Sequence, residues 1–336
     1  MSAAASTLAP WLAQQRQSLL AQRGHAWLLQ GPSGMGQFEL GMALVRAWLC
    51  EQPGADGAAC GHCASCHSID VHAHADLFVL MPEVDMMARG WPLSEKAQSE
   101  IDDKKRKPSK EIRVDAMRDA VEFTQRTSAR GCGKAVLVYP AEQMNAVTAN
   151  ALLKTLEEPP GDVRFVLATE AAHQLLSTIR SRCLAHTMLW PQQAQMLQWL
   201  QEQGVSQQDV EVCLRAAGGR PFDAWQMAQS GKGMGVFARL PKAVASGDVA
   251  VFAEMSPPEV VQWLQKLCHD LMCVVQGAAP RYFAAQDLPR APSVMVLARW
   301  AKSLAQEART AEHPFNANLM TEALVAQACT VLNSRH

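Results

Sequence analysis

The sequence predicts an α/β domain built on a parallel sheet, followed by segments that are helical throughout. Three observations carry that prediction. The apolar run Ala26-Trp27-Leu28-Leu29 leads into a glycine loop, Gly31-Pro32-Ser33-Gly34-Met35-Gly36-Gln37-Phe38, and then into a helix-like stretch over 39–49. Two further apolar runs, at 134–138 and 164–169, are continuous rather than alternating, as strands buried on both faces of a parallel sheet require. From Pro191 onward the texture changes to glutamine-rich segments with apolar residues at helical spacing.

In chain order, Leu8, Leu12 and Leu19 oppose Gln14, Gln17 and Ser18, which predicts an amphipathic first helix. The glycine loop has the skeleton G-x-x-x-x-G in the strand–loop–helix setting where backbone N–H groups cradle phosphates. Gln37 stands where the phosphate-binding lysine belongs, and Phe38 where the magnesium-binding Ser or Thr belongs. An amide brings no charge and a phenyl ring cannot ligate magnesium, so loop geometry without catalysis is expected. The plain alternative is an ordinary glycine turn. The second strand tells against it, because Tyr139 and Pro140 stand where an ATPase keeps its Asp-Glu pair, so both halves of the site are altered together. The third strand ends in the polar Thr169, at a phosphate-sensor position. Between the second and third strands, Asn150-Ala151-Leu152-Leu153-Lys154-Thr155-Leu156-Glu157-Glu158-Pro159-Pro160 has leucines at helical spacing and two prolines that end the helix. Thr178-Ile179-Arg180-Ser181-Arg182-Cys183 follows the third strand and precedes an apolar strand over 184–189.

With 336 residues and 49% hydrophobic content, the chain is large enough for two or three domains with ample cores. A net charge of −1 excludes a global field toward DNA or membrane, so any nucleic-acid contact must be local. No apolar run approaches the roughly 18 residues of a membrane helix. Residues 1–20 lack the basic and continuous apolar regions of a secretory signal, and a cytoplasmic protein is expected.

Of ten cysteines, six are scattered (Cys132, Cys183, Cys213, Cys268, Cys273 and Cys329) and read as buried or free thiols. The other four crowd together as Cys50-x9-Cys60-Gly61-His62-Cys63-Ala64-Ser65-Cys66. Two overlapping C-x-x-C turns present thiolates on a tight knuckle, and Cys50 can close a tetrahedron around one structural Zn2+. His62, His67, His72 and His74 offer substitute ligands, while redox thiols or an iron–sulfur cluster are the other readings. The run Glu100-Ile101-Asp102-Asp103-Lys104-Lys105-Arg106-Lys107-Pro108-Ser109-Lys110 reads as a solvated, mobile loop, with a phosphate-contacting patch as the alternative. Ile112-Arg113-Val114-Asp115-Ala116-Met117-Arg118 starts a helix. Later, Gly231-Lys232-Gly233-Met234-Gly235 is the best linker, and Trp263 and Trp300 read as core or interface anchors.

The string at 150–160, the strand after it and Ser181-Arg182-Cys183 resemble the clamp-loader branch of the AAA+ ATPases. The resemblance runs from about Trp27 to Pro191, with a weaker echo at Asn318-Leu319-Met320-Thr321-Glu322-Ala323-Leu324. It implies an AAA+ domain over 1–189 with a zinc-binding insert at about 50–66, a small helical lid over 190–232 and a C-terminal helical collar over 233–336. It also places the structural zinc on the four clustered cysteines. With its altered loop (Gly31, Gly36, Gln37, Phe38) the chain is expected to be a non-catalytic subunit of the DNA polymerase III clamp loader. The partners implied are the gamma/tau ATPase subunits and a delta subunit, with the sliding clamp and primed DNA reached through the complex. The resemblance assigns Arg182 as an arginine finger for a neighbouring subunit, with Arg180 competing for the role, and sets Arg220 near a second phosphate sensor or simply at a helix start. The alternative functions are an active ATPase of the same branch and a stand-alone zinc-dependent nucleic-acid binder.

Overall fold

The computed structural model describes residues 8–230, 234–311, 313 and 316–334. The chain divides into two compact units, Met1–Gln192 and Gln193–His336. In the first, β1 (Ala26–Gln30), β2 (Leu77–Leu80), β3 (Lys134–Val138), β4 (Val163–Thr169) and β5 (Leu184–Thr187) form one sheet in the order β2-β3-β4-β1-β5. Every pairing is parallel, with Leu28 opposite both Leu167 and Ala185, and Val136 opposite both Phe78 and Phe165. All five residues of β3 are buried, as continuous apolar runs require. The edge strands differ. β2 is a strand the sequence reading does not anticipate, and β5 is shorter than the run at 184–189 and mostly exposed.

Parallel neighbours need crossovers. They are supplied by α2 (Gln37–Leu49), α3 (Ala64–Asp70), α4 (Glu83–Ala88), α5 (Glu95–Asp102), α6 (Val114–Gln125), α7 (Ala146–Glu157) and α8 (Ser177–Arg180), with α1 (Pro10–Leu20) preceding the sheet. One face of the sheet packs Val136, Phe165 and Leu167 against Ile112, Leu152 and Ile179. On α2, Gly41 lets the helix approach closely, since a Cβ there would sit 2.8 Å from Leu137 Cδ1. Gln15 of α1 is buried, and its Oε1 accepts from His186 Nε2 at 2.8 Å and Leu189 N at 3.0 Å. The basic run is not a free loop. Arg106 turns inward to Glu83 (2.5 and 2.8 Å) and Glu100 (2.7 Å), and the Ser109 amide also donates to Glu83. Like-charge repulsion does not govern there, because two acidic side chains neutralise the arginine.

The second unit is helical: α9 (Gln193–Glu202), α10 (Gln207–Ala216), α11 (Pro221–Gln229), α12 (Met234–Ser246), α13 (Pro257–Val275), α14 (Val294–Thr310) and α15 (Ala317–Leu332). The linker expected at 231–235 lies, at 231–233, outside the described residues. Leu264, Leu267 and Leu271 of α13 pack with Leu297 and Leu304 of α14 and Val325 and Ala328 of α15, and Trp263 and Trp300 are buried among them. Lys266 lies 4.0 Å over the Trp263 ring and donates to Ala216 O at 2.9 Å; burial holds its pKa down at about 8. Asp270, wholly buried, accepts the amides of Arg281, Tyr282 and Phe283. No helix among the described residues is long and apolar enough to cross a membrane.

Asp76, wholly buried at the entrance to β2, accepts from Ala129 N (2.8 Å), Arg130 N (2.9 Å) and Ser128 Oγ (3.0 Å), with Lys134 Nζ at 3.4 Å. Burial pushes its carboxyl up, but these donors outweigh it and hold the pKa below the ordinary 3.8. The stabilisation is therefore complete above 3.8 and is lost as pH falls through the folded value. Asp76→Ala should lower stability by about 3–5 kcal/mol in urea unfolding at neutral pH, because Lys134 is left buried without its carboxylate. The gap between wild type and variant should narrow on acidification.

Candidate functional site

The glycine loop turns out of β1 with Gly34 at φ 71° and Gly36 at φ 91°, left-handed values that glycine adopts without strain. Gly36 caps α2, so the first amides of a thirteen-residue helix face the loop. Gln37 does not project from it. The residue is 2% exposed, and its Nε2 donates to Gly31 O at 3.0 Å and Pro32 O at 2.8 Å. The amide thus fills the loop from within. At the next position the Phe38 ring lies 5.4 Å from Tyr139, and the Arg89 guanidinium sits 4.2 Å above Phe38 and 3.7 Å from Glu39.

The strand ends opposite are equally self-contained. Tyr139 donates to Glu170 at 2.8 Å, and burial with that carboxylate pushes its phenol up, so it stays neutral. Thr169 Oγ1 donates to Glu142 at 2.7 Å, and Glu142 also accepts the Glu170 amide at 3.0 Å. Sequence reading misses Arg89, which caps the end of α4. Its partners Glu39 and Phe38 lie some fifty residues earlier.

The four cysteines come together. Cys50 caps the end of α2 and Cys63 the start of α3, while Gly61 at φ 78° makes the knuckle between them. Sulfur separations are 3.8 Å for Cys50–Cys63, 3.8 Å for Cys50–Cys66 and 4.0 Å for Cys60–Cys66. A disulfide would need about 2.05 Å, whereas a tetrahedral ion with bonds of about 2.3 Å to sulfur has an edge of roughly 3.8 Å. The cluster could therefore hold a metal ion, and it is the grouping of such ligands found among the described residues. Amides of Cys60, Cys63 and Cys66 point at the sulfurs of Cys50, Cys60 and Cys63. Burial raises the thiols of Cys50 and Cys66, whereas at Cys63 hydrogen-bond donors outweigh burial and hold it down at about 6. The histidines are elsewhere engaged: His74 with Ser65 and the Asp76 amide, and His72 stacked on Trp91 at 4.0 Å. His62 and His67 are exposed outside the cluster.

Arg182 lies two residues past the end of α8. Its Nε donates to Glu157 Oε1 at 2.7 Å, its Nη2 reaches the same carboxylate, and its Nη1 donates to Thr178 O at 2.7 Å. Arg180 is exposed on the last residue of α8. Arg220 caps α11, donates to Ala217 O at 2.8 Å and pairs with Asp223 at 2.9 Å.

A parallel five-stranded sheet, with a glycine loop between β1 and α2, helices filling the crossovers and a helical unit after it, is an AAA+ fold of the clamp-loader kind. A crystal structure of a DNA polymerase III gamma subunit-related protein from Thermotoga maritima shares it, with a TM-score of 0.52 at 16% identity over 96% of this chain and 100% of that one. The family model described as DNA polymerase III, delta subunit, matches residues 11–189. The chain is 37% identical over 213 residues to DNA polymerase III subunit delta' of Pseudomonas aeruginosa, covering 63% of this chain and 58% of that one. It is 33% identical over 288 residues to the subunit delta' of Escherichia coli, covering 80% of this chain and 78% of that one. The chain belongs to the DNA polymerase III delta' subunit family.

Two predictions arise from these geometries. Gln37→Lys should yield no ATP hydrolysis above background in a steady-state assay. It should also lower the melting temperature, because it puts an ammonium at a position only 2% exposed. Cys63→Ser should lose most of about one equivalent of bound metal by elemental analysis and destabilise the segment at 50–66, since metal binding and folding of such a site are linked.

Proposed function

We propose that the chain is a non-catalytic, stator-like subunit of the bacterial DNA polymerase III clamp loader. In that reading it assembles with the gamma/tau ATPase subunits and the delta subunit, and helps them place the sliding clamp on primed DNA in the cytoplasm. The observation that supports the reading is the Gln37 amide bonded to two carbonyls of its own loop: a neutral group turned inward stands where the lysine that meets a nucleotide's terminal phosphates belongs. Residues 1–189 form the AAA+ domain, 190–232 the lid and 233–336 the collar that joins the ring.

The cysteine cluster fits zinc, since soft thiolates in a tetrahedral set favour it. Four protein ligands leave no open position for water, so the ion's contribution is structural: Cys50, Cys60, Cys63 and Cys66 tie the end of α2 to the start of α3. The delta' relatives by themselves support a clamp-loader role, while zinc rests on the spacing and the sulfur separations.

A subunit that hydrolyses nothing can still act on a neighbour's nucleotide. Arg182 is assigned as that arginine finger, supplying charge in trans to a γ-phosphate bound next door. Binding of the isolated chain to DNA without partners would favour the stand-alone reading, and turnover by the isolated chain would favour an active ATPase.

Arg182→Ala in the reconstituted assembly should slow hydrolysis at the neighbouring site by roughly 10³-fold or more, as loss of a finger does elsewhere. Steady-state ATPase and clamp loading check this, with subunit association followed separately by pull-down. Wild-type rates in a fully assembled complex would remove the finger assignment, and failure to co-assemble with the ATPase and delta subunits would remove the clamp-loader reading itself.

A further inference from the structure

Arg182 is not a loose surface side chain. Glu157, the last residue of α7, is 48% exposed at its side chain and Arg182 30%. The helix that carries Glu157 is fixed at both ends of its run: Asn145 caps its start by accepting the Thr148 amide at 3.0 Å, and Leu152 and Leu156 are buried in the core. The guanidinium carries five N–H groups. Two donor atoms, Nε and Nη2, face Glu157, and Nη1 faces the Thr178 carbonyl. Two N–H groups remain uncommitted, enough for a bidentate contact with phosphoryl oxygens.

An exposed ion pair contributes little to stability, so its worth lies in placement. A long arginine loses rotamer freedom when it is fixed, and here a carboxylate and a carbonyl fix it before any neighbour arrives. We propose that Glu157 is a positioning residue for Arg182, holding the guanidinium extended at the surface in the orientation that a neighbour's phosphate meets. The proposal rests on the reading of Arg182 as a trans finger. Glu157 touches no nucleotide in it and acts only through the arginine.

The test is a double-mutant cycle in the reconstituted clamp loader with Glu157→Ala, Glu157→Gln, Arg182→Ala and the double variant Glu157→Ala/Arg182→Ala. ATP turnover is measured across ATP concentrations, and assembly is followed by pull-down. Glu157→Ala should lower kcat at the neighbouring site by about 10- to 100-fold, as small misplacements of a catalytic group do, and leave KM and assembly unchanged. Glu157→Gln retains one acceptor oxygen and should fall between it and wild type; it is the readable variant if the alanine form does not assemble. Because Glu157 acts through Arg182, the double variant should be no slower than Arg182→Ala alone. Wild-type or faster turnover by Glu157→Ala, or multiplicative loss in the double variant, overturns the positioning role while the finger stands. Wild-type turnover by Arg182→Ala removes the finger, and the positioning role with it.

Discussion

Parallel pairing is the constraint on which the first unit depends. Once β1 lies between β4 and β5, every strand must enter from the same end, and the carboxyl ends of all five gather on one rim. Ligand sites of open α/β sheets form at that rim. Here it collects Gly31 after β1, Tyr139 after β3, Thr169 at the end of β4 and Met188 after β5. The Gly31 amide donates to Thr169 O, and the Met188 amide to Gln30 O, so the strand ends are laced to one another as well as aligned. The loop conformation, the Tyr139–Glu170 contact and the approach of Phe38 to Tyr139 all follow from this convergence.

The two units use one device to hold their connections. In each, a wholly buried aspartate accepts consecutive backbone amides: Asp76 takes those of 129–130, and Asp270 those of 281–283. A buried carboxylate is tolerated only when its lone pairs are filled. Chain that would otherwise wander is fastened by the group that most needs it. Gln15 does the same with neutral chemistry, bridging α1 to β5 and to Leu189 just after it.

What the sequence made legible was local. The loop between β1 and α2, the buried runs of β3 and β4, the prolines ending α7 and the cysteine spacing all lie within a few residues of their own signals, so the elements and the cluster could be read directly. What stayed hidden depended on partners far along the chain. β2 is four residues long with only Val79 and Leu80 buried, and it follows a histidine- and aspartate-rich turn that masks it. Arg106 sits in a like-charge run that reads as solvated, yet its partner Glu83 lies 23 positions earlier. Arg182 was visible as a motif residue, but the carboxylate 25 positions away that holds it was not.

The internal partnering of the glycine loop makes it an evolutionary ratchet. The usual P-loop residues on this frame would require lysine for Gln37, a hydroxyl for Phe38 and an acidic pair at Tyr139 and Pro140. Taken singly, the change at Gln37 puts an ammonium at a buried position, the change at Phe38 removes the ring beneath Arg89, and the change at Tyr139 removes one donor to Glu170. Each step goes downhill in stability with no activity gained until the set is complete. A lineage with this loop would therefore meet a loss of stability before any gain, whatever selection acts on it.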